Sequence, residues 1–139
     1  METIAKNKFY EIHYNESKNR IYYKVVGFWE NVDCVPNYKE DIMSVRNFVK
    51  PNYTMLVDTR KMEVHPQDVE NLRVWAQNEA VAMGMYRAAQ IVSEDFISEL
   101  QFDNMNDKAN FMKGKFISFE EAENWLDEIS MEISKSRIN

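Results

Sequence analysis

Side chains able to do chemistry gather at two places in the chain. Asp58, Thr59 and Arg60 follow the apolar run that begins "YTMLV", and Ser93, Glu94 and Asp95 follow "YRAAQIV". Between them the two triplets offer carboxylates, hydroxyls and one guanidinium, the groups that bind anions, orient hydroxyls or share a proton. In open α/β sheets ligands bind beyond the carboxyl ends of the parallel strands, so both triplets are expected on one edge as the best candidate binding site. His65 stands a few residues on, held extended by Pro66, and joins the set as a loop histidine. A purely structural role competes at each position. Ser93 or Asp95 can cap a following helix, Asp58 can close a turn, and Arg60 can neutralise Asp58.

Other chemistries find less support. Gly27, Gly84 and Gly114 are the only glycines, and none follows a core strand as part of a phosphate-cradling loop, which excludes the P-loop and dinucleotide patterns. His13, His65 and Cys34 fall on three different elements without ligand spacing, so no metal or other cofactor is implied. The same scatter leaves Cys34 without a base and argues against a nucleophilic triad. Acid–base work by paired carboxylates needs opposed pKa shifts, for which the sequence carries no signal. No reaction is suggested, and a non-enzymatic role is expected.

The net charge of −6 argues against nucleic acid and against anionic membrane surfaces, both of which select basic faces. Acidic residues concentrate after Ser118, where Glu120, Glu121, Glu123, Asp127, Glu128 and Glu132 face only Lys135 and Arg137. That pattern reads as a solvated helix face, with docking to a basic partner as the alternative. One cysteine suits a reducing cytoplasm. No stretch approaches the roughly 20 apolar residues of a spanning helix, and "METIAKNKFYEIHY" lacks the apolar core of a signal peptide. A single cytoplasmic domain over residues 1–139 is expected.

The elements that must position these residues follow from periodicity. "KFYEIHY" and "RIYYKVVGFW" alternate as strands around the polar turn "NESKN" and should form an antiparallel hairpin. Val35, Tyr38, Ile42, Val45 and Val49 repeat at helical spacing, with Asp33 as N-cap and Pro36 in the first turn. "YTMLVD" is almost wholly apolar, as an interior strand covered on both faces must be. A second helix starts at Pro66, buries Val69, Leu72, Ala76, Ala80 and Met83, and stops at Gly84. "YRAAQIVS" reads as a core strand, the segment from Glu94 to Met112 as a weak helix, and "GKFIS" as a short strand. In the closing helix Ser118 and Glu121 have capping-box spacing, and Phe119, Ala122, Trp125, Leu126, Ile129 and Ile133 make one apolar face. The expected order is ββαβαβαβα, an α/β fold with a mixed sheet.

The order of elements, with "LVDTRKME", "RAAQIVS" and "FISFEEAENWLDEI", resembles the STAS-like families, above all the branch similar to the sporulation anti-sigma-factor antagonist. Phe116 or Phe119, Ala122, Trp125 and Leu126 match the closing helix pattern of that branch, and the resemblance runs from about Phe9 to Ile129. It implies a small sandwich of about five strands with about four helices packed mainly on one face. It also implies a protein-interaction or regulatory module, with homo-oligomers or a protein partner, or alternatively a small-molecule or lipid-binding domain. The antagonists are switched by a phosphorylated serine at the start of the helix after the central strand. Here that stretch reads "VHPQDVENL", and no Ser or Thr lies between Lys61 and Val92, so the switch does not carry over.

Overall fold

The computed structural model of the protein describes residues 1–94 and 112–138. Six strands form one mixed sheet in sequential order: β1 (Glu2–Lys6), β2 (Tyr10–Asn15), β3 (Arg20–Gly27), β4 (Thr54–Met62), β5 (Arg87–Ile91) and β6 (Met112–Phe116). The first three are antiparallel, and β3 to β6 run parallel. The expected hairpin is β2 and β3, with Tyr10 opposite Val25 and Asn15 opposite Arg20. β1 adds a sixth strand where about five were expected. Its sequence, "ETIAK", is short and interrupted by a bulge between Thr3 and Ala5, so alternation gives it little signal.

Helices α1 (Tyr38–Ser44), α2 (Gln67–Ala82) and α3 (Phe119–Ile138) complete the described architecture. The long helix expected from Asp33 is divided. Asn31, rather than Asp33, caps a 3-10 turn over Val32–Cys34, and α1 begins only beyond Pro36, whose ring nitrogen has no proton to continue the ladder. A second 3-10 turn, Val45–Asn47, ends the segment. The expected weak helix between Glu94 and Met112 falls almost wholly outside the described residues.

The helices expected mainly on one face lie on both. Ile21, Tyr23 and Val25 of β3 with Met55 and Val57 of β4 pack beneath Tyr38 and Ile42 of α1 and Val69, Ala76 and Ala80 of α2. Tyr22, Leu56, Ala89 and Ile91 point the other way, toward Ala122 and Leu126 of α3. The reason lies in the strands themselves. β3, β4 and β5 are apolar at both parities, so each face must be covered. On the α3 face Gly114 leaves space for two rings: a Cβ there would stand 2.6 Å from Phe116 and 2.9 Å from Trp125.

α2 ends in a Schellman motif. Gly84, at φ +100°, donates to Val81 O, and Met85 N donates to Ala80 O. The Ala80 carbonyl also accepts the buried Tyr53 hydroxyl at 2.8 Å, which ties the helix end to the start of β4.

Candidate functional site

The two triplets occupy less of an edge than the sequence implied. β4 does not end at Asp58 but continues to Met62, while its pairing with β5 stops at Asp58–Ile91. Asp58 and Arg60 satisfy each other, with Arg60 Nη2 2.8 Å from Oδ2 and both Nε and the backbone N on Oδ1 at 3.0 and 3.1 Å. Burial pushes the Asp58 carboxyl up, but the hydrogen bonds from Arg60 outweigh it and leave it below the ordinary range. Thr59 turns inward and donates to the Ile91 carbonyl at 2.9 Å while accepting from Gln90 Nε2. Ser93 is half-buried and Glu94 exposed just past β5, and Asp95 lies outside the described residues.

His65 leaves the loop surface for the core. Its ring stacks on Trp29 at 4.9 Å, and Nε2 lies 3.3 Å from the Gly27 carbonyl. Because a carbonyl only accepts, Nε2 carries the proton. Nδ1 is then a buried acceptor with no partner. Burial, followed by the charge of Arg73, lowers the His65 pKa below its ordinary value.

A concave feature among the described residues lies elsewhere, between the sheet and the helices α1 and α2. It is a mainly apolar cavity of about 50 Å³. Its floor is made by Ile21, Tyr23, Val25 and Met55, and its roof by Ala76, Ala80 and Met83. The physical origin is a size mismatch. α2 presents Ala76 and Ala80 to this part of the sheet, and two short side chains leave volume unfilled where the backbone cannot close in.

Two polar features interrupt this lining. The hydroxyls of Tyr23 and Tyr38 meet at 2.7 Å inside the apolar wall, and burial pushes both phenols up, so they remain neutral. Arg73 and Gln77, four and eight residues after Val69, stand on the same inward helical row. The Arg73 side chain is only 14% exposed and donates from Nη1 to Glu70 at 3.3 Å. Sequence reading followed the apolar stripe of α2 and passed over these two. The available signal was a charged and an amide side chain at positions where the row calls for apolar ones.

A second polar cluster also escaped the sequence reading. Arg20, fully buried, donates through Nη1 to Glu123 at 2.9 Å and Asp127 at 2.8 Å, and through Nε to Thr54. Lys18 and the Tyr22 hydroxyl reach the same Glu123. The acids expected as a solvated face of the last helix thus fasten it, in part, to the sheet. Every donor and acceptor here has a protein partner, so the cluster serves structure.

Among the described residues, no group of three or more His, Cys, Asp and Glu side chains forms a metal site, and no helix is long and apolar enough to cross a membrane. Neither a model of a known family, nor a curated protein, nor a solved structure matches this chain.

Proposed function

We propose that the chain is a non-enzymatic binding domain whose ligand is a small, mainly apolar molecule held between the sheet and the helices α1 and α2. The supporting observation is the apolar cavity with its few converging polar groups, Tyr23, Tyr38, Arg73 and Gln77. Ligand sites have this composition because apolar walls supply affinity and sparse polar groups supply orientation. Each buried methylene adds about 0.8 kcal/mol. Thioethers of Met55, Met83 and Met85 give walls that yield to an occupant without breaking backbone structure.

Native mass spectrometry of gently purified protein, beside an Ala76→Leu variant that fills the cavity, tests this reading. Extra mass on the wild-type chain that is absent from the folded variant supports it. A wild-type chain that carries no extra mass and takes up no short-chain alcohol counts against it.

The STAS-like kinship enters as part of this proposal, on the strength of the motifs quoted above. It brings a second reading, a protein-interaction module, which one observation favours. Phe28, Val32 and Val64 are exposed near the end of the sheet where Gly27 pairs with Met62. Large exposed apolar side chains grouped at one end suit a protein partner or a second copy of the chain.

A further inference from the structure

The polar groups of the cavity narrow its ligand, on the footing of the binding function proposed above. We infer that the occupant is a small amphipathic monocarboxylate, with its tail between the sheet and α2 and its carboxylate on Arg73.

Arg73 carries the argument. Its side chain is only 14% exposed, yet little of its hydrogen bonding is used: Nη1 makes a single long contact to Glu70, and among the described residues Nε and Nη2 have no protein partner. Nε and Nη2 are the two donors that grip a carboxylate side-on. A guanidinium beside apolar walls favours an anion and repels an amine. Glu70 already offsets part of the positive charge, so a singly charged headgroup fits better than a doubly charged phosphate.

The tyrosine pair points the same way. Two hydroxyls hold two hydrogens, and only one is used in the bond between Tyr23 and Tyr38. Whichever ring donates, the other keeps a hydrogen to offer. The cavity therefore asks its ligand for an acceptor.

Size limits the tail. About 50 Å³ is near a third of the ~150 Å³ that admits six-carbon benzene, so about two carbons fit the gap as it stands, and a chain of roughly four to six enters only as the methionines move aside.

Titration calorimetry with hexanoate, hexanol and hexylamine at neutral pH tests the inference, with the methyl signals of Ala76 and Ala80 reporting where each probe binds. The expected result is hexanoate bound about tenfold or more tighter than hexanol, a gap of about 1.4 kcal/mol or more. Arg73→Gln should erase that gap while keeping hexanol binding. Should Arg73→Gln fail to fold, Glu70→Gln serves instead. By freeing Nη1 it should tighten hexanoate severalfold and leave hexanol unchanged, and an unchanged hexanoate affinity overturns the headgroup assignment. Equal binding of hexanoate and hexanol, or a preference for hexylamine, overturns the carboxylate and leaves the pocket standing. No methyl shift with any of the three probes defeats both.

Discussion

His65 enters the core with its ring against Trp29 and Nδ1 buried without a partner. Burial disfavours the charged ring, which lowers its pKa from 6.5. The sign of the consequence is fixed. A group whose folded pKa is depressed stabilises the fold above its unfolded pKa and loses that contribution as pH falls through its folded value. Stability should therefore decline as pH drops below about 6.5, with a slope of at most about 1.4 kcal/mol per pH unit. Urea midpoints between pH 7.5 and 5.5 should fall for the wild-type chain and fall less for His65→Phe. Parallel curves would show that His65 does not titrate in this window. Glu123 and Asp127 act lower down. Burial raises each, but hydrogen bonds from Tyr22, Lys18 and Arg20 to Glu123, and from Arg20 and Lys18 to Asp127, outweigh it. Both are lowered overall, and their contribution is lost only below about pH 4.

α3 is held by two kinds of contact. Ala122 and Leu126 bury against Tyr22, Leu56, Ala89 and Ile91, and one turn of acids, Glu123 and Asp127, closes on Arg20 and Lys18. Desolvation decides how much each ion pair matters. Arg20 is fully buried, and Arg20→Met removes its bonds to Glu123 and Asp127 while Lys18 and Tyr22 stay on Glu123, so the change should cost about 1.5–3 kcal/mol. The Asp127 side chain is 42% exposed, and water screens it, so Asp127→Asn should cost less than about 1 kcal/mol. Denaturation midpoints of the two variants check the ordering, and a reversal would mean that burial does not set the weight of these pairs. Ser118 caps the same helix by accepting from Glu121 N at 3.2 Å, the serine half of the capping box that its spacing from Glu121 led one to expect.

At the scale of the whole molecule the two faces of the sheet are unequal among the described residues. There the face under α1 and α2 encloses the larger apolar cluster, including Trp29, Tyr10, Tyr38 and Tyr53, whereas the α3 face has a smaller one reinforced by charge. Local opening should follow that inequality. Hydrogen exchange should show α3 amides opening before those of β3 and β4, and added salt should lower α3 protection while leaving α2 unchanged. Uniform protection over both helices would mean that the two layers unfold as one cooperative unit.

The sequence by itself determined most of the elements and their class. Alternation drew the hairpin, the apolar runs "YTMLV" and "RAAQIV" became interior parallel strands, and Gly84 and Ser118 marked helix ends. Those signals are local, set by backbone geometry within a few residues, and so they can be read along one chain. The strand "YTMLVD", apolar on both sides, also foretold its own cover on both faces, whereas the family resemblance implied packing mainly on one face. Only the tertiary structure decided which polar residues meet. It closed Arg60 onto Asp58, buried Thr59 and His65, brought Lys18 and Arg20 to Glu123 and Asp127 a hundred residues away, and left Arg73 and Gln77 beside a cavity. A cavity is the difference between two facing surfaces, and an ion pair depends on two side chains arriving at one place. Neither quantity exists until the layers are stacked.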